Sequence, residues 1–386
     1  MKTVSENQKQ FAQWTLEYQK KKEEADRLFA RISTFRILTF LIGAAALIIG
    51  ITEKEKSYSV FLTVAGMVFL IGFVVLVKWH SVVADRQSLL TEKWEVCNRY
   101  CSRFTDGWRK FPETGAGYMT EDDCVAADID LLGENSLYQM ISVCHTDKGK
   151  QLFARHLTER SVSEAEREQR RGAIAELAQK PEFAVEFETA GRRMESEREK
   201  FDAEAFEDFC QDPAQGTLPG FAHVLRIVLP ILEIAGLIAF LCGAVSYGYP
   251  LVGFLILLVV SWLTRFLTDS VIQPVCYASN VSGAYEDMLS LIAAQEFASG
   301  ILAQMRQQAG GTDGAVKAYH KLKAISQAYN ISFNPLVHQI LCGFLLWDYQ
   351  LAAIVSKWKK KYGAQVAGCS DMLAELEDLM SFSVLG

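Results

Sequence analysis

Four apolar runs, arranged as two closely spaced pairs, constrain this chain more than anything else in it. Ile37 to Ile51 is almost purely apolar. With the flanking Phe35 and Thr52 it just crosses a hydrocarbon layer of about 30 Å, which normally takes about 20 residues. Tyr58 to Val77 is a full-length run, separated from the first by the charged turn Glu53-Lys54-Glu55-Lys56 and closed by Lys78, Trp79 and His80, residue types that suit a membrane interface. The second pair runs from His223 to Tyr247 and from Tyr249 to Leu267, with Gly248 and Pro250 expected at the turn between them. The expectation is an all-α integral membrane protein with two transmembrane helical hairpins and the lipid bilayer as its first partner.

Orientation follows from the cations near the span ends. Lys20, Lys21, Lys22, Arg27, Arg31 and Arg36 precede the first span, Lys78 and Arg86 follow the second, and Arg226 and Arg265 bracket the second hairpin, whereas the opposite side shows only Lys54 and Lys56. This predicts a multi-pass protein of the cell inner (cytoplasmic) membrane with both termini and the middle region cytoplasmic.

Glu233 falls inside the third span, where an unpaired charge costs about 2.5–3.5 kcal/mol on insertion scales. Folding the hairpin about Gly248 sets Glu233 opposite Leu263, within a turn of Arg265, and Arg226 next to Asp269. Two structural ion pairs are therefore expected, Glu233 with Arg265 and Arg226 with Asp269, in preference to a proton or ion path, since the other spans offer no second carboxylate.

Outside the spans the pattern is helical and amphipathic. Phe11, Trp14, Tyr18, Ala25, Leu28, Phe29 and Ile32 recur at three-and-four spacing ahead of the first span. Leu90, Trp94, Cys97, Cys101, Phe104 and Trp108 recur at near-heptad spacing after the second, which suits packing against the N-terminal helix. The divisions expected are 1–36, an amphipathic helix; 37–78, hairpin one; 79–222, cytoplasmic helices and the first part of a core; 223–268, hairpin two; and 269–386, the rest of that core. Within the last part, Gly283 to Gln307 and Ala315 to Tyr329 read as helices, and Pro335 opens a long helix to about Tyr362 whose His338, Gln339, Asp348 and Gln350 favour a buried soluble helix over a fifth span. The nine cysteines are scattered, and Cys97 with Cys101 has neither a second CxxC nor a paired His, so they read as reduced cytosolic thiols with no metal expected.

From Asp128 to Leu157 two helices are expected, joined by a polar turn at Thr146 with Gly149 allowing close packing. Leu131-Leu132-Gly133, Asn135-Ser136-Leu137, Thr146, Gly149, Leu152 and Leu157, followed by Gln169-Arg170-Arg171 and Ala173-Ile174 ahead of Leu177, stand at spacings similar to the start of the MutS mismatch-repair family core. The run Met372 to Ser381 resembles the helix by which that core leads into its ATPase. Asp147 stands where the family usually has Pro, and His156 where it often has Trp, which suggests a divergent branch. In classical members the core carries a lever of long helices with an inserted DNA clamp; here hairpin two occupies the corresponding place, so the chain resembles a membrane-anchored MutS-like branch.

Asp, His and Lys cluster between Asp128 and Leu157 with no nucleophile or metal spacing around them, so no catalytic, cofactor or metal residue is expected. No Gly-x-x-x-x-Gly-Lys-Ser/Thr loop occurs, so ATP and Mg²⁺ are expected only in a C-terminal ATPase domain beyond Gly386, and the stretch is not itself expected to be an enzyme. Phe111-Pro112-Glu113 matches the family's mismatch wedge over three residues only and carries no weight. The net charge of −7 weighs against DNA as a partner, leaving Lys357, Lys359, Lys360 and Lys361 as the one dense basic run. The expectation is a membrane anchor and core/lever module coupling an ATPase domain to the bilayer, the alternative being a membrane-tethered DNA-binding or scaffold protein without ATPase activity. Monomer and homodimer both stay open.

Overall fold

The computed structural model describes residues 4–53, 56–119, 128–159, 163–197, 203–311 and 313–385, so Lys54 and Glu55 of the charged turn lie outside the described residues. All regular structure in them is helical. The chain divides into two compact units, Met1–Pro112 and Glu113–Gly386.

The first unit is an antiparallel pair of very long helices, α1 (Val4–Thr52) and α2 (Ser59–Arg103), followed by a 3₁₀ turn at Asp106–Lys110. Amphipathic helix and first span are thus one uninterrupted α1, about 74 Å long at ~1.5 Å per residue. Its polar half packs on the far half of α2: Phe11 stacks on Tyr100 at 4.4 Å, Gln87 Nε2 donates to Asp26 at 2.6 Å, and Phe11, Ala25, Ile32 and Cys97 are buried. The apolar half packs through small residues. A Cβ on Gly50 would stand 2.8 Å from the Thr63 amide nitrogen, and one on Gly66 would stand 2.8 Å from that of Leu47. Close backbone approach at small residues is how helices associate where lipid surrounds them, because lipid tails remove the hydrophobic drive between helices. The outward residues of this half, Leu41, Ile48, Phe61 and Ile71 among them, are apolar and more than half exposed, a surface suited to hydrocarbon.

The second unit opens with an αL turn at Gly115 that lies against the Tyr138 ring. There follow α3 (Leu137–Ile141), α4 (Asp147–Thr158), α5 (Glu164–Leu177), α6 (Pro181–Glu197) and α7 (Ala203–Gln211). Ser136, Thr146 and Ser163 cap α3, α4 and α5 by accepting a backbone N–H of the first turn, which explains where each begins. Next come the apolar α8 (Gly220–Leu241) and α9 (Gly248–Leu263), then α10 (Arg265–Tyr277), bent by 65° from α9. The rest of the core is α11 (Ser279–Ala294), α12 (Gly300–Gly310), α13 (Ala315–Asn330), α14 (Pro335–Leu345), α15 (Trp347–Ala367) and α16 (Cys369–Ser383). One continuous apolar core joins α5–α7 to α10–α16, with Phe187, Met288, Leu302 and Tyr349 fully buried in it. Each such side chain contributes about 1.5–3 kcal/mol.

Three sequence expectations change here. The helix expected from Gly283 to Gln307 breaks at residues 295–299, where the amides of Ala298 and Ser299 donate to the Glu176 carboxylate of α5. The long helix from Pro335 to Tyr362 is two helices: Leu346 adopts φ 49°, and the chain turns by 81° beyond α14. A left-handed non-glycine residue costs about 1–2 kcal/mol. Complete burial of the Leu346 side chain, of the order of 1.5–3 kcal/mol, offsets it. Gly248 and Pro250 belong to the first turn of α9, where Pro needs no N–H partner, and the hairpin turns earlier, over Cys242–Tyr247, with Gly243 at φ 76°.

Among the described residues, three helices are long and apolar enough to cross a membrane, or up to five if each bent pair is one span.

Candidate functional site

The earlier turn in hairpin two shifts every pairing across it. Glu233 faces Gly253, so closely that a Cβ there would overlap its carboxylate. The two expected cross-hairpin ion pairs are therefore replaced. Arg265 pairs with Asp269 at 3.0 Å within α10, and Arg226 donates from Nη1 to Gln350 Oε1 at 3.1 Å, linking α8 to α15. Gln350 Nε2 returns a hydrogen bond to the Arg226 carbonyl at 2.7 Å. Glu233 is buried on the face of α8 turned towards α9, a hairpin-packing position rather than an ion-pair position.

The residues at the start of the family resemblance line the entry to α3 and the start of α4, whereas Ala173 and Leu177 lie in the larger core. Leu132 lies in a small core with Tyr138, Ile141 and Phe153, while Gly133 at φ 104° and Asn135 at φ 61° shape the loop that enters α3. The amide of Asn135 donates to Gln139 Oε1 at 2.7 Å, Ser136 caps α3, and Leu137 is its first residue. Thr146 and Gly149 sit at the start of α4, against α16.

That contact is made by a polar face of α16 that is completely buried. Glu377, Asp378 and Ser381 have no exposed surface. Ser381 Oγ accepts from the Val143 amide at 3.1 Å; one helical turn earlier, the Glu377 carboxylate accepts from the amides of His145 at 3.0 Å and Thr146 at 3.2 Å and from the Thr146 hydroxyl. The i,i+4 spacing of the two acceptors thus holds the non-helical segment between α3 and α4, whose amides have no helical partner of their own. Gly149 is needed at this spot because a Cβ would overlap the Glu377 carboxylate. Burial raises the Glu377 pKa to about 7 against the opposing pull of these donors.

A second layer surrounds the first. His145 lies between Glu195 at 3.0 Å and Glu188 at 4.0 Å on α6, its ring packed on Gly191. Lys150 Nζ reaches Glu195 at 2.7 Å and Glu113 at 3.2 Å. Burial works to raise the Glu195 pKa, but His145 and Lys150 outweigh it and hold the group down at about 2. On the other side Asp378 accepts from Arg170 and faces His156 Nδ1 at 3.0 Å. Most of the charged groups here partner one another rather than solvent. The site is a joint between the first and last helices of the core.

The basic run in the middle of α15 is partly consumed by the fold. Lys359 Nζ donates to the carbonyls of Asp212 and Gln215, both at 2.6 Å, and lies 4.3 Å from the centre of the Phe209 ring; Lys361 pairs with Asp313 at 2.9 Å. Phe111 of the three-residue wedge match carries the guanidinium of Arg99 at 4.8 Å, a packing role. Sequence reasoning missed the acceptor role of Glu377 and Ser381, whose spacing alone signals a shared helix face, and it missed the juxtaposition of His338, Cys342 and Asp348 at the α14–α15 break, the one group of ligand-type side chains among the described residues that could converge on a single ion.

The architecture defines a helical protein with apolar hairpins suited to a bilayer and a polar joint in its helical core. Comparison with protein-family models, with curated proteins and with solved structures finds no match.

Proposed function

We propose that this chain is the membrane anchor and core/lever module of a MutS-like ATPase, passing movement between a nucleotide-binding domain that would follow α16 and the membrane hairpins. The observation that supports this reading most is the insertion of the apolar α8–α9 hairpin within a core whose first and last helices are bolted together through Glu377 and Ser381. Displacement of α16 pulls on α4 directly, and it reaches the hairpin through α15 and the Arg226–Gln350 hydrogen bonds. The engaged state of Lys359 and Lys361, with the acidic balance of the chain, disfavours the DNA-tethering alternative.

The test begins with the coding sequence downstream of Gly386. A Walker A motif there, together with an ATP-dependent change in amide exchange at residues 143–149 of the full-length protein in lipid nanodiscs, is the expected outcome. A reading frame that lacks the motif, or exchange indifferent to nucleotide, sinks the reading and leaves a membrane scaffold without ATPase activity.

A further inference from the structure

The break at Leu346 brings together three side chains that the proposed function does not use. His338 and Cys342 stand one turn apart on α14, and Asp348 comes from the first turn of α15 on the far side of the break. His338 Nε2 lies 2.8 Å from Asp348 Oδ1 and 3.3 Å from Cys342 Sγ, and Sγ lies 3.6 Å from Asp348 Oδ2. One ligand atom from each falls within 4.8 Å of the others. The Cys342 thiol is buried and takes part in a further hydrogen bond with Ser261 of α9, while 30% of the His338 side chain and 13% of Asp348 are exposed, which leaves an entry path.

We propose that His338, Cys342 and Asp348 form a binding site for a single Zn²⁺-class divalent cation. A His–Asp hydrogen bond on its own needs no thiol; here the thiol shares the same point and engages the second carboxylate oxygen. Metal–ligand lengths of about 2.0–2.3 Å put the donor atoms of a tetrahedral zinc site roughly 3.4–3.6 Å apart. The two contacts to sulfur are already close to that spacing, and the His–Asp pair has to open by about 0.6 Å, a side-chain rotation. The mixed nitrogen, sulfur and oxygen donor set suits Zn²⁺ and Co²⁺ and disfavours Mg²⁺ and Ca²⁺, which take oxygen ligands.

On binding, the metal replaces the Cys342 thiol proton, which leaves to solvent, and breaks the hydrogen bond between His338 Nε2 and Asp348. The proton in that bond moves to Nδ1 if the imidazole is neutral, or is released if it is charged. Thiolate and carboxylate then balance the two charges of the ion, and water completes the fourth position. Bound there, the ion staples α14 to α15 across their bend. Since α14 packs on the apolar hairpin and α15 runs through the core, the staple would stiffen the connection between them.

The experiment uses the full chain, purified in detergent, stripped with a chelator and titrated with Co²⁺. The expected result is one Co²⁺ per chain, with a thiolate-to-metal charge-transfer band and the visible bands of four-coordinate cobalt, displaced by Zn²⁺. Cys342→Ser should remove the charge-transfer band, His338→Ala and Asp348→Asn should weaken binding by about tenfold or more, and Cys242→Ser, an exposed thiol in the hairpin turn, should change nothing. Absence of the band in the unmodified chain, or its persistence in Cys342→Ser, overturns the proposal. Should the variants fail to fold, thermal unfolding of the unmodified chain decides: one equivalent of Zn²⁺ must raise the midpoint where the same amount of Mg²⁺ does not, and a midpoint that Zn²⁺ leaves unchanged refutes the site.

Discussion

Glu377 accepts hydrogen bonds from the backbone of Thr146, 231 residues earlier in the chain, and so caps α4 from outside the helix. The N-terminal N–H groups of a helix favour an anion beside them. Here that anion comes from the last helix of the fold, so the start of α4 depends on the position of α16.

Removing the acceptor should cost more than altering it. Glu377→Ala leaves two buried amides and the Thr146 hydroxyl proton without an acceptor, and the expected loss is about 3–5 kcal/mol, at the upper end of single-site effects. Glu377→Gln keeps the shape and one acceptor oxygen, so its loss should be about 1–2 kcal/mol. Chemical unfolding followed by helical circular dichroism separates the two; equal losses would mean that the carboxylate merely fills space.

The joint should also respond to pH with two opposite signs. Glu377, raised to about 7 in the fold from an ordinary 4.5, binds its proton more tightly in the native state. Its stabilising contribution is complete below the unfolded value and falls as pH rises from 4.5 to 7, by about 3 kcal/mol at most. Glu195, held at about 2, contributes above 4.5 and loses that contribution as pH falls towards 2. Its partial exposure screens the effect to about 1–2 kcal/mol. Stability measured against pH for the native chain, minus that for Glu377→Gln, should slope downward only between 4.5 and 7; a flat difference would show that Glu377 titrates as an exposed carboxylate does.

Lys359 separates the structural from the nucleic-acid reading of the basic run. Lys359→Met orphans the carbonyls of Asp212 and Gln215 and should destabilise the core by about 1–3 kcal/mol. Replacing the exposed Lys357 and Lys360 by Gln should leave stability within about 0.5 kcal/mol. Neither change should alter DNA retention, which is expected to be negligible at physiological salt; salt-dependent binding lost in the double Gln variant would revive the tethering alternative.

In hairpin one the glycine contacts predict a steric effect confined to the apolar half. Gly50→Leu or Gly66→Leu drives a side chain into the opposing backbone, which the Thr63 and Leu47 amide nitrogens already approach. The expected readout is loss of disulfide cross-linking between cysteines introduced at positions 47 and 62, while Gly72→Leu, where nothing but Thr39 lies within 4 Å, keeps it. Cross-linking undiminished in all three would show that the helices do not touch at the glycines.

Much of this architecture was legible because burial in lipid and burial in protein leave different periodicities. The apolar runs at 37–51 and 58–77 have no polar face, and Phe11, Ala25, Ile32 and Cys97 mark one stripe on each partner helix. Of the three caps only Thr146 is marked in the sequence reading, as the polar turn between two helices. What escaped were features set by non-local geometry. The break at Leu346 has no Gly or Pro to announce it, since burial of its own side chain offsets the cost of the left-handed turn. The buried polar face of α16 reads in sequence as a solvated one, because nothing local reveals that residues 143–146 cover it. Glu233 was assigned a partner by counting from a turn placed too late.

The register of hairpin two gives the last prediction. Opposition of Glu233 and Gly253 places the mid-point of the hairpin near residue 243, where Gly243 supplies the left-handed turn. Gly253→Val should therefore disrupt the packing of α8 on α9, and Glu233→Ala, by vacating the space, should restore most of it, with a coupling between the two sites of about 1–3 kcal/mol in a double-mutant cycle. Arg265→Gln should leave the hairpin intact, since its partner Asp269 is on its own helix, and Asp269→Asn should be equally mild. Resistance of the reconstituted hairpin to thermal unfolding in nanodiscs provides the measure. Additive effects at 233 and 253, with strong coupling between 233 and 265 instead, would restore the ion pair first expected and move the turn back to Gly248.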